Sequence, residues 1–91
     1  MRDKFEVRRI QREISRILWE VWDPIGVNDE PAAFGEYENY VNGIYGLLDK
    51  GSSDIEISDH LIYIVNVTMG LEGAKPEHMK ATIEALRQIQ L

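Results

Sequence analysis

An all-α domain, a small bundle of about four helices, is what this 91-residue chain predicts. Four segments repeat apolar residues every three to four positions, the period of a helix that buries one face. Start and stop signals separate them: Trp22-Asp23-Pro24-Ile25-Gly26-Val27, the Ser53–Glu56 pair, Met69-Gly70-Leu71 and Pro76. The length suits one hydrophobic core, so residues 1–91 are expected to form a single helical domain.

The first helix is expected over residues 3–22. Val7, Ile10, Ile14, Ile17, Leu18 and Val21 make its apolar stripe, while Arg8, Arg12 and Arg16 run along the opposite face with Phe5 and Trp19. A tryptophan off the stripe has three readings. The loop over 22–35 covers it, a partner does, or it stacks on Arg12 or Arg16, worth roughly 0.5–1 kcal/mol when exposed. Pro24 disfavours helical backbone at Asp23 and Gly26 permits a turn, so the helix stops there. Ile25 and Val27 flank that glycine and are expected to fold back onto the bundle.

Within the following loop, Asp29-Glu30-Pro31 opens a short helical turn, since proline suits the first helical position. Tyr37, Tyr40, Val41, Ile44, Leu47 and Leu48 then mark a second helix, with Gly51 placed as its C′ residue. Asn42-Gly43 is also a hairpin signal. The adjacent pairs Tyr40-Val41 and Leu47-Leu48 break the alternation that strands would need, and helix is the expectation. Gly35, Gly43 and Gly46 fall opposite the apolar face with Asn39 and Asn42. An internal glycine costs a helix roughly 1 kcal/mol relative to alanine. Close approach by another segment, the first loop being one candidate, is expected to offset that cost at Gly43 or Gly46.

Ser53-Asp54-Ile55-Glu56 spells a capping box ahead of the third helix. Ile57, Leu61, Ile64, Val65 and Thr68 share one face, widened by Ile55, Ile62 and Met69. Gly70 is placed to end it and Leu71 to close over the end. Pro76 opens the fourth helix, whose stripe is Met79, Ile83, Leu86 and Ile89.

Composition narrows the function classes. Hydrophobic content of 44% with 29% charge is that of a folded globular chain rather than a disordered one. The sequence has no cysteine, which removes disulfides, thiolate metal sites and a cysteine nucleophile and suits a reducing cytoplasm. The N-terminus lacks the apolar core of a signal peptide, and no apolar run is long enough to span a bilayer. Asn66-Val67-Thr68 is formally a glycosylation sequon and is read as chance. Residues 1–16 carry six bases against three acids, whereas residues 20–59 carry ten acids against Lys50 alone. A nucleic-acid binder would show a basic footprint across the domain, which is absent. Either the two regions neutralise one another or the acidic one meets a basic partner.

Residue constellations with chemical potential are few. Ser58, Asp59 and His60 have the residue types of a hydrolase triad, but three consecutive residues cannot converge as a relay. Glu56 and His60 share a helical face and Glu77 adjoins His78, without the matching second pair that a metal centre requires. Asp23, Asp29, Glu30 and Glu36 could serve a hard cation, but lack the ligand rhythm of an EF-hand. Asp23 as a cap with the other acids solvated is the plainer reading. Gly43 and Gly46 lack the Lys-Ser/Thr of a phosphate loop.

The run from Leu18 to Leu71 resembles a family of small bacterial helical proteins of unknown function. The resemblance rests on Trp22–Val27, an acidic stretch, Gly43-Ile44-Tyr45-Gly46-Leu47-Leu48 and Met69-Gly70-Leu71. It covers roughly half the chain, and it implies a compact helical fold without carrying over an activity.

These readings lead to a cytoplasmic, non-catalytic protein–protein interaction module that needs no cofactor and binds neither nucleic acid nor membrane. Asp29, Glu30, Glu36 and Glu38 are its expected contact with a basic protein partner, one concrete form being an immunity-type inhibitor of a bacterial toxin. Trp19, Arg12 and Arg16 mark a second candidate surface. The alternative is a metal-dependent enzyme or metal-binding protein built on the acidic loop 23–36.

Overall fold

The structure is a computed structural model that describes residues 2–26, 29–33 and 35–91. Among these residues it is an all-α bundle of four helices. Asp3 starts α1 (Lys4–Ile17) by accepting the Glu6 N–H at 2.9 Å, which satisfies one of the donors a helix start leaves over. Ile10, Ile14, Ile17 and Leu18 of its stripe are fully buried.

The stripe then departs from the expected register. Residues Leu18–Trp22 form a π turn, closed by the Asp23 N–H on the Leu18 carbonyl at 2.9 Å. Widening the turn from i→i+4 to i→i+5 rotates the residues that follow it. Val21, expected inside, is therefore 40% exposed, and Trp22 is 8% exposed in its place. The Trp22 ring packs 5.5 Å from Tyr37 and edge-on to Tyr40 at 6.0 Å.

A 3₁₀ turn, Glu38–Tyr40, leads into α2 (Val41–Asp49), which settles the helix-or-hairpin alternative for this segment. Val41, Ile44 and Leu48 enter the core, and Leu47 is only partly buried. Gly51, at φ +75°, ends the helix. Its N–H bonds Leu48 O at 3.2 Å and that of Ser52 bonds Leu47 O at 2.9 Å, the double closure of a Schellman end.

The capping box forms as expected at α3 (Asp54–Tyr63): Glu56 N–H donates to Ser53 Oγ at 3.2 Å and Ser53 N–H to Glu56 Oε1 at 2.9 Å. Those bonds hold the Glu56 carboxyl below its usual range. Ile57, Leu61, Ile64 and Val65 are buried. Ile55 is instead exposed, because residues two apart on a helix do not share a face. A second π turn, Ile64–Thr68, leaves Thr68 exposed and brings Met69 against the core.

After Gly70 the chain reaches a 3₁₀ turn, Pro76–Met79, and α4 (Lys80–Arg87). Met79, Ile83, Leu86 and Ile89 are all buried. The Arg87 guanidinium donates to Asp54 at 2.8 Å and to the Ser52 carbonyl at 2.9 Å, tying the end of α4 to the start of α3. α1 packs against α2 and α4, while α3 packs against α2, α4 and the Pro76–Met79 turn. Among the described residues no helix is long and apolar enough to cross a membrane.

Candidate functional site

The outer face of α1 is built by helical spacing alone. Arg8, Arg12, Arg16 and Trp19 follow one another at three or four residues and so stand in a row opposite the buried isoleucines. Trp19 is partly buried against the core, with its ring centroid 6.2 Å from that of Tyr37. Tyr37, just beyond the loop expected to do so, is thus part of its cover.

Glu38 joins this face from the turn before α2. Its carboxylate accepts the Ser15 hydroxyl of α1, and the Gln11 amide donates to Asn42 Oδ1 at 2.8 Å one turn away. These bonds complete a groove lined by Arg8, Arg12, Arg16, Trp19, Glu20 and Glu38. Arg16 pairs with Glu20 at 3.0 Å, whereas Arg8 and Arg12 have no ion-pair partner among the described residues. Four of the seven residues singled out from sequence therefore come together: Arg12, Arg16, Trp19 and Glu38. Arg8 belongs with them, as its place four residues before Arg12 signals.

Asp29, Glu30 and Glu36 are exposed and do not line that groove. Asp23 has a different task. It sits in left-handed backbone, φ +32° and ψ +59°, at the end of the first π turn. Its Oδ1 accepts the Tyr37 hydroxyl at 2.7 Å, and the Ile25 N–H reaches the same hydroxyl oxygen at 3.3 Å. Burial, and then this bond to a carboxylate, push the Tyr37 phenol well above its usual range. The capping role expected of Asp23 is thus a helix C-terminal one. Tyr37 also explains how the loop docks: by a hydrogen bond at Ile25, whose side chain remains exposed. Val27, the other residue expected to fold back, lies outside the described residues.

The acids of the loop do not converge. Among the described residues no three His, Cys, Asp or Glu side chains gather as metal ligands, either here or around Glu56, His60 and His78. His60 packs instead on α2, with Nε2 3.2 Å from where a Gly43 Cβ would stand. The close approach that Gly43 permits is therefore made by α3 and not by the first loop, and Gly46 faces open space. Burial lowers the His60 pKa. His78 accepts the Lys75 N–H on Nδ1 at 3.3 Å.

No family model, curated protein or solved structure matches this chain.

Proposed function

We propose that this chain is a non-catalytic protein–protein interaction module that meets a basic protein partner through its acidic 29–36 segment. The observation that carries the reading is the division among the acids. Asp23 and Glu38 are engaged by Tyr37 and Ser15, while Asp29, Glu30 and Glu36 are exposed with no ion-pair partner among the described residues. Like charges within one short segment repel, and a basic surface relieves that repulsion while drawing the partner in. The basic start of the chain does little of this internally: Arg2–Asp49 and, inside one helix, Arg16–Glu20 are the ion pairs joining the two regions among the described residues.

An immunity-type inhibitor covering the basic active site of a bacterial nuclease toxin is one concrete form of the proposal, drawn by analogy of class. Cytoplasmic location and kinship with the small bacterial family that residues 18–71 resemble are parts of the same reading. The test is joint neutralisation, Asp29→Asn, Glu30→Gln and Glu36→Gln, with Glu38 and Asp23 left in place. Association with a partner captured from native extract should slow about tenfold or more. In the unmodified protein it should slow with salt too, as screening shortens the reach of surface charge to about 8 Å at physiological strength. A partner that associates equally fast with both proteins, and equally fast in high salt, overturns the reading.

A further inference from the structure

Away from that segment, α3 and the residues that open α4 leave a cleft of about 470 Å³ between them. Ile55, Pro76 and Ile83 give it apolar walls, and Asp59, Glu77 and Glu84 stand around it. Ile55 is 74% exposed at its edge. Of the lining charges, Asp54 is taken by Arg87 at 2.7 Å, and Lys80 is the one base. Asp59, Glu77 and Glu84 have no ion-pair partner among the described residues. An apolar hollow ringed by free carboxylates is complementary to an apolar side chain carried among cations.

The chain itself presents such an element. Phe5 on the outer face of α1 is 71% exposed, flanked by Lys4, Arg8 and Arg12. Arg2, Arg9 and Arg16 are paired with Asp49, Glu13 and Glu20, but these three cations have no ion pair among the described residues. Phe5, Arg8 and Arg12 follow at spacings of three and four, so they present one face. The two surfaces draw on different helices and share no residue, so one molecule offers both at once.

We propose that a second copy of this chain seats its α1 in the cleft, with Phe5 against Ile55 and Ile83 and its cations against Asp59, Glu77 and Glu84. A projection on one copy and a recess on the next make a head-to-tail contact, which continues from copy to copy unless a ring closes it. The contact uses none of Asp29, Glu30 or Glu36 and stands apart from the function proposed above.

Sedimentation velocity over a concentration series tests it. The unmodified protein should grow in size with concentration, less so in high salt. Phe5→Asp removes the projection and leaves the cleft; Ile55→Asp does the reverse. Both side chains are exposed, so circular dichroism should show both variants folded. Each alone should associate at least about tenfold more weakly. An equimolar mixture should form a heterodimer and stop at two, because one intact projection then meets one intact cleft. A protein monomeric throughout the series, association that survives either substitution, or a mixture that restores nothing would each overturn the proposal.

Discussion

Two helices of this bundle end in the same manner and are closed by different means. At Leu18–Trp22 and at Ile64–Thr68 the helical ladder widens into a π turn. At the first, Trp22 is buried in place of Val21; after the second, Met69, from the widened edge of the expected face, packs on the core while Thr68 is exposed. After the second, Gly70 takes left-handed backbone at φ +72°, and Leu71 N–H reaches Val65 O at 2.9 Å. After the first, the left-handed residue is Asp23, where backbone of this kind costs a non-glycine residue roughly 1–2 kcal/mol. The bond from the Tyr37 hydroxyl stands against that cost. One end is closed by backbone freedom that its own sequence supplies. The other depends on a side chain from the next element, so it should loosen whenever Tyr37 does.

The largest effect should come from the register of the first turn. Trp22→Ala removes a buried ring from the Tyr37–Tyr40 cluster and should cost about 3–5 kcal/mol. Val21→Ala, one residue earlier, should stay within about 0.5 kcal/mol. Denaturant unfolding of the two variants measures the difference, and equal costs would mean that the π turn does not persist in solution.

Tyr37→Phe separates the two closures more finely. The ring stays against Trp19 and Trp22, and the hydroxyl that engages Asp23 and Ile25 is lost. A cost of about 1–3 kcal/mol is expected, with faster hydrogen exchange at Ile25 and none at Leu71. The pH dependence has a definite sign. The Tyr37 phenol is raised above its ordinary value of 10.0 in the fold, so its contribution is complete below that pH and declines above it. Between pH 9 and 11, roughly the range around the free phenol's pKa, the stability gap between wild type and Tyr37→Phe should narrow. A constant gap would remove the Asp23 bond as its cause.

Gly70→Ala tests the other closure. Left-handed backbone is needed there and nothing crowds the position, so alanine should cost about 1–2 kcal/mol through conformation alone. Exchange at Ile25 should be unaffected. A loss confined to residues near the site of each substitution would show the two ends to be independent.

Most of the fold was legible because helical period, caps and stop residues are local. Ser53 with Glu56, Gly51, Gly70 and Pro76 sit where their backbone roles require. The π turns were not legible, since Val21 and Trp22 both satisfy an apolar stripe and only packing decides which turns inward. Met69 was expected on the widened face of the third helix, but nothing local shows that Thr68 beside it turns outward. Of the candidate surface, the arginine row followed from spacing, but Glu38 was grouped with the acids of the loop. Its engagement by Ser15 spans 23 residues of sequence, and helix packing alone brings them together. The α3–α4 cleft likewise needs two helices, although the exposure of Ile55 was implicit in its offset of two from Ile57.

The smallest effect concerns glycines whose backbone freedom is not used. Gly43 and Gly46 both lie in helical backbone within α2, so alanine at either should favour the helix by about 0.5–1 kcal/mol. At Gly46 nothing lies within 4 Å of the new methyl group, and that gain should appear in full. At Gly43 the methyl would stand 3.2 Å from His60 Nε2 and 3.5 Å from Cε1, so the imidazole must move aside and the gain should be smaller or lost. The imidazole also supplies an independent readout. Burial holds its pKa below the ordinary 6.5, so its protonation lowers stability as pH falls below that value. If Gly43→Ala displaces the ring toward water, its titration should move back up toward 6.5, whereas Gly46→Ala should leave it in place. NMR titration of His60 in the two variants makes the measurement. Equal stabilisation and an unmoved His60 would mean that Gly43, like Gly46, has room for a side chain, and Gly70 would stand apart from both.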